Sequence, residues 1–493
     1  MKWLSNLRPL AFVCALLFLV PSSTSQSLDI RWKKTFSQNI SWYVRTSRNI
    51  LLVKAGKSLT AIEGATGKQL WILNDLEHSG SAEFRGKNVL EIPGTEVLLV
   101  NHTKLPDDAD EKLVALNQLT GERLWTMPPT DDLMAAVALQ NSREFVLISR
   151  RLQKKVLAGQ LALMAATGVP LFNYPFRFEL QKLEIASGKA QWNVEYPRTF
   201  AGYAFSPQRA TIAGDHLFLQ LADSILAAVD LGSGTRLWER IDQKINKPGP
   251  PLSLQFVGGR VLMGPRVLHA FEETSGQSTW EIKDVGRVHG ICIFDGILAV
   301  LGDKNLATAD PQTGKELWRK KTYSHATNLL WDRTGDALVY LDGKGLHRVD
   351  RTTGRAILDT PLKSHTHPIR IRLASPDTLL TLSSSEVSVL ELKTGKTLLT
   401  EGMLSGFFIS KPMLNLWPMP ETGQDPEQES AQEEFSDAYQ TEKGVRKVWW
   451  IDPDTHRQIV FHVPGGQHDV CRSLGMIFAV NEDQLWGSAI SAN

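Results

Sequence analysis

Cysteine is scarce in this 493-residue chain, which holds only Cys14, Cys292 and Cys471. No two are adjacent and no Cys-x-x-Cys occurs, which excludes that type of thiol redox motif and a cysteine-clamped zinc ribbon. Gly-x-Ser-x-Gly, His-Glu-x-x-His and Gly-x-x-x-x-Gly-Lys are missing as well, and with them go the common hydrolase, metalloprotease and P-loop signatures. Charge of one sign is also lacking. Lys and Arg number 54 against 53 Asp and Glu, so no basic excess points to nucleic acid. The apolar run near the start, Leu10 to Val20, has 11 residues, short of the ~20 a membrane-spanning helix needs.

That run follows Lys2 and Arg8 and precedes Ser23, Thr24 and Ser25, the pattern of a secretory signal over residues 1–25 that is removed on export. Losing Lys2 and Arg8 takes the formal charge from +1 to −1. A lipoprotein signal places a cysteine just after the cleavage site, whereas Cys14 lies inside the apolar run, so no lipid anchor is expected. The mature chain, 26–493, is expected to be periplasmic or secreted, with Cys292 and Cys471 as buried free thiols.

One pattern then recurs: a short alternating strand, an acidic residue, a Thr-Gly or Ser-Gly turn, and a Trp four residues after the glycine. It aligns without gaps at Leu59 to Trp71, Leu113 to Trp125, Leu180 to Trp192, Leu226 to Trp238, Leu268 to Trp280 and Leu306 to Trp318. Weaker copies centre on Gly354, Gly395 and His456, where Leu358, Leu399 and Val460 replace the Trp. Each copy predicts a hairpin with Leu, Ala and Ile or Val on one face and a turn glycine in a conformation a β-carbon resists; these are Gly67, Gly121, Gly188, Gly234, Gly276, Gly314, Gly354 and Gly395.

Successive marker positions lie 54, 67, 46, 42, 38, 40, 41 and 61 residues apart, which fits one four-stranded antiparallel blade per repeat and excludes helical solenoids. Length alone suggests two or three domains, but a repeat array extends one architecture. The fold expected is an all-β propeller of ten blades, or of eight with the weaker copies as decorations. Asp29 to Trp32 reads as the second half of a hairpin without its first, and Leu474 to Ile490 as inner strands without a last one. A closing blade built from both chain ends follows.

The run A-x-D-x-x-T-G-K-x-L-W resembles the repeat of the PQQ-like propellers, a superfamily that includes quinoprotein dehydrogenases and outer-membrane assembly propellers of the BamB type. The resemblance implies that Trp71, Trp125, Trp192, Trp238, Trp280 and Trp318, with Trp32 as a seventh, dock structurally beside the turn of a neighbouring blade, each indole N–H seeking an acceptor. It implies two functional classes. In a quinoprotein dehydrogenase, pyrroloquinoline quinone sits over a calcium ion beside a disulfide of adjacent cysteines. This chain has no such pair, and Asp230, Asp310 and Asp350 recur at hairpin positions where turn N–H groups are their expected partners. The expectation is therefore a non-catalytic scaffold that binds protein partners, with no cofactor, metal or catalytic residue, and with the quinone enzyme as the alternative.

Two insertions interrupt the spacing, near 150–176 and at 421–443. Val156 to Phe176 carries no charge over 21 residues; it is expected to pack on the propeller, with membrane or partner contact as its competing use. Glu421 to Lys443 holds eight acidic residues and is expected to be a solvated, mobile loop. His365 and His367 are expected in a loop, since two imidazoles fall short of a zinc site. Asn39-Ile40-Ser41 and Asn101-His102-Thr103 are glycosylation sequons in form.

Overall fold

The computed structural model describes residues 29–489 apart from 75–88, 104–109, 153–174, 202–209, 242–253, 362–369, 403–437, 452–457 and breaks of one to three residues. Every regular element among the described residues is a β-strand. The strands form ten sheets in chain order, here blades 1 to 10: residues 40–73, 89–127, 132–201, 210–241, 255–282, 288–321, 327–361, 370–402, 438–464, and 468–489 together with 29–35. All pairings are antiparallel. Blade 3 gains a short fifth strand, Phe200–Ala201, and blade 9 has three described strands. The fold is an all-β propeller.

The repeat supplies the last two strands of a blade. In blade 1 the strands Ser58–Glu63 and Gln69–Leu73 are joined by a turn in which Gly67 N–H donates to Glu63 O and Glu63 N–H to Lys68 O, both at 2.9 Å. The chain enters the last strand one residue out of register, and the same shift recurs beside the corresponding turns of blades 2 to 8. All eight turn glycines have φ between +63° and +73°, which is why a residue without a β-carbon stands there.

Blades 1 to 7 bury both faces. Leu51 and Leu52 are successive and each is fully buried, yet they point opposite ways: Leu51 packs with Tyr43 against Phe478 and Leu485 of blade 10, and Leu52 with Val44 against Leu98 and Val100 of blade 2. Ile50–Ala55 therefore reads ILLVKA, continuously apolar at its start, as a strand covered on both faces does. Similar clusters join each pair of consecutive blades from 2 to 8. Each buried leucine contributes about 1.5–3 kcal/mol.

The chain ends meet as expected. Asp29–Thr35 pairs with Gln484–Ala489, Lys33 opposite Trp486, and the order continues through Met476–Asn481 to His468–Cys471. Phe36 N–H donates to Asp483 O at 2.8 Å and Ile40 N–H to Glu482 O at 2.7 Å, which ties the entry of blade 1 to blade 10.

Some expectations need adjustment. The end of the acidic insertion is not loop: Ala438–Glu442 is a strand paired with Val445–Ile451, and its Tyr and Thr suit a strand. The last two residues of the first insertion, Pro175 and Phe176, begin the strand Pro175–Glu184, in keeping with packing on the propeller. The remainder of both insertions, the signal segment, His365, His367 and His456 lie outside the described residues. Neither described cysteine is in a disulfide; Cys471 is buried, whereas Cys292 keeps partial exposure. Of the two sequons, Asn39 is exposed, while Asn101 is fully buried with its Nδ2 donating to Thr130 O at 2.7 Å.

Candidate functional site

Each of the seven sequence-selected tryptophans lies against the turn glycine of the following blade. A methyl group built on Gly121 would stand 2.5 Å from the Trp71 ring, and the same approach joins Trp32 to Gly67, Trp125 to Gly188, Trp192 to Gly234, Trp238 to Gly276, Trp280 to Gly314 and Trp318 to Gly354. Six indoles also donate to the carbonyl three residues before that glycine: Trp32 to Gly64 at 2.9 Å, Trp71 to Gln118 at 2.9 Å, Trp125 to Ile185 at 2.8 Å, Trp192 to Leu231 at 3.1 Å, Trp238 to Glu273 at 2.7 Å and Trp318 to Arg351 at 2.7 Å. Trp280 differs. The corresponding residue is Pro311, and the Trp280 Nε1 is buried without a partner. These residues are dispersed one per blade, so they build inter-blade contacts and do not converge on a pocket.

The recurring carboxylates are engaged inside their own turns. Asp310 Oδ1 accepts from Gln312 N–H at 2.7 Å and Thr313 N–H at 2.9 Å, and Asp230 Oδ1 accepts from Ser233 N–H at 2.7 Å. Asp350 Oδ1 accepts from the hydroxyls of Thr353 and Thr352 and from both of their N–H groups. Those bonds, the Thr353 hydroxyl foremost, hold the Asp350 pKa down at about 2, and Asp230 and Asp310 are lowered for the same kind of reason, by Ser233 and by the N–H groups of Thr313 and Gln312 respectively. Among the described residues no group of three His, Cys, Asp or Glu is arranged to hold a metal ion.

Two polar clusters have no counterpart in the sequence reading. Glu91 of blade 2 is buried and accepts from Ser47 N–H at 2.9 Å, from the Ser47 hydroxyl at 2.5 Å and from Gln118 Nε2 at 3.2 Å, which links blades 1 and 2. In blade 7, His347 lies between two carboxylates, Asp342 and Asp359. Neither carries a motif. Their members come from separate strands and turns, so the packed sheets bring them together.

The family described as outer membrane protein assembly factor BamB matches residues 26–159, 171–249 and 242–407. No curated protein matches the chain. Among solved structures, BamB from Moraxella catarrhalis is similar at 15% identity, covering 78% of this chain and 99% of that one with a TM-score of 0.40. The computationally designed Ika8 protein is similar at 11% identity, 89% and 100% coverage and 0.35, and the C-terminal WD40 domain of Sif2 at 9%, 95% and 99%, and 0.42. With its repeats matched over most of its length, the chain belongs to the BamB family of PQQ-like β-propeller repeat proteins.

Proposed function

We propose that the chain is an extracytoplasmic, non-catalytic scaffold that holds other proteins during assembly of the outer membrane or envelope. The family match across residues 26–407 carries this reading. The turn geometry is in keeping with it: Asp230, Asp310 and Asp350 each turn Oδ1 to N–H or hydroxyl groups of their own hairpins, a structural use of the repeat's carboxylates. The partner surface is then provided by blade edges and connecting segments, since the repeats themselves are committed to packing.

The test is crosslinking and affinity capture of the mature chain in its own envelope, followed by deletion of its gene. Recovery of β-barrel assembly components, with slower accumulation of outer-membrane barrels on deletion, supports the scaffold. A saturable rise in thermal stability with pyrroloquinoline quinone and calcium, together with dye reduction by alcohols or sugars, overturns it in favour of a quinoprotein dehydrogenase. A folded-state ligand at a hundredfold excess over its Kd stabilises by about 2.7 kcal/mol, well within measurement.

A further inference from the structure

Blade 7 contains a histidine held in a geometry that only its charged form satisfies fully. His347 lies on Gly345–Asp350 and is buried. Its Nε2 is 2.8 Å from Asp342 Oδ1, at the end of Ala337–Asp342, and its Nδ1 is 2.7 Å from Asp359 Oδ1, on the outer strand Ala356–Pro361. An ionised carboxylate only accepts, and a neutral imidazole has one N–H to give. Two contacts of this kind therefore require the imidazolium.

The two carboxylates differ in what else holds them. The Asp342 side chain is 1% exposed; it also accepts the Lys344 N–H at 2.8 Å and the Tyr323 N–H at 3.1 Å, the latter from the connection between blades 6 and 7. The Asp359 side chain is 54% exposed and free to exchange its contact for water. Tyr340 also faces the imidazole, its ring stacked on it at 4.8 Å and its buried hydroxyl without a partner, while the Lys344 ammonium is turned to the Tyr323 ring, 3.5 Å from its centroid. From blade 6, Lys320 shares a strand face with Trp318 and so points toward blade 7.

We propose that His347 is a proton-operated latch: doubly protonated, it fastens the outer strand of blade 7 through Asp359, and on losing one proton it keeps Asp342 and releases Asp359. The direction of the response follows from the two titrations. Burial disfavours the imidazolium, but the bonds to Asp342 and Asp359 outweigh it and raise the His347 pKa above 6.5. The latch is therefore complete below the unfolded value near 6.5 and is lost as pH rises through the raised folded value. Burial likewise opposes ionisation of Asp342, but the bonds from His347 and the Lys344 N–H prevail and lower its pKa below 3.8. Its contribution is present above 3.8 and is lost as pH falls through the lower folded value. As pH rises through the raised His347 value the side-chain tie to Asp359 is lost, and the outer strand keeps only its backbone ladder to Gly345–Asp350.

The experiment is a proton NMR titration of the histidine Cε1–H resonances of the mature chain, with amide exchange followed in parallel. The resonance missing in His347→Gln identifies the residue. It is expected to titrate with a midpoint above 6.5, and Asp359→Asn is expected to lower that midpoint by about one pH unit. Exchange in Ala356–Pro361, normalised to Glu316–Lys321, should rise several-fold across the wild-type midpoint and lose that step in Asp359→Asn. A midpoint at or below 6.5, or one that Asp359→Asn leaves unmoved, overturns the proposal. Should His347→Gln fail to fold, the resonance is assigned by its shift in Asp359→Asn, and if none shifts the proposal fails.

Discussion

The junction between blades 1 and 2 and the junction between blades 7 and 8 use the same position differently. At the first, Trp71 covers Gly121 and donates to Gln118 O. At the second, Leu358 and the Thr360 hydroxyl lie over Gly395, and no indole is present. Trp280 stands between these cases, covering Gly314 with its N–H unpartnered. Close side-chain cover of the turn is thus the common requirement, and the indole hydrogen bond is an addition. A leucine fills the space that a glycine turn leaves open; only an indole also reaches the carbonyl.

The largest effect should come from removing one junction altogether. Deleting Ser27 to Phe36 takes away Trp32 and the strand beside Gln484–Ala489, leaving an unpaired edge. The truncated chain is expected to lose most of its cooperative stability and to aggregate, read by thermal melting and light scattering; an unchanged melting curve would show that the terminal strand closes nothing. Next, Trp71→Ala or Trp238→Ala should cost about 3–5 kcal/mol, against about 2 kcal/mol for the half-buried Leu358→Ala, measured by urea unfolding. Equal losses would erase the distinction between the two junctions.

Glycine substitutions separate turn strain from indole contact. Gly94 and Gly121 both have φ +73°, but nothing lies within 4 Å of a β-carbon at Gly94, whereas the Trp71 ring blocks one at Gly121. Gly121→Ala is therefore expected to destabilise by about 1–3 kcal/mol more than Gly94→Ala. Smaller still is the hydrogen bond itself. Trp71→Phe leaves Gln118 O without its donor while Trp280→Phe removes none, so the first should cost about 1 kcal/mol more than the second. The smallest effect concerns the turn carboxylate. Asp350 contributes stability above its unfolded pKa of 3.8, lost as pH falls toward its folded value of about 2. Asp350→Asn should flatten that part of the acid-unfolding profile slightly; an unaltered profile would show that the threonine bonds add nothing.

What could be read in the chain before its fold was known follows from which interactions are local. The hairpins, the turn glycines and the Asp-to-Thr turn bonds are set by residues a few positions apart, so the repeat declares them directly. Even the terminal blade was readable, because an orphan half-hairpin at one end and orphan inner strands at the other demand each other. The end of the acidic insertion was not legible in this way, since composition averaged over 421–443 hides the strand Ala438–Glu442. Asn101 shows the same limit: its sequon is local, but its burial comes from the contact with Thr130, 29 residues away.

By itself the sequence determined the repeat, the hairpin turns and the pairing of the two chain ends, because these depend on periodicity and on glycine's access to positive φ. Tertiary structure alone decided that both faces of a strand such as Ile50–Ala55 are buried, that Trp280 lacks an acceptor where Trp71 has one, and that His347 meets Asp342 and Asp359. Each of those outcomes depends on which side chain or backbone group a neighbouring strand or blade presents, and that is a property of the packed sheets.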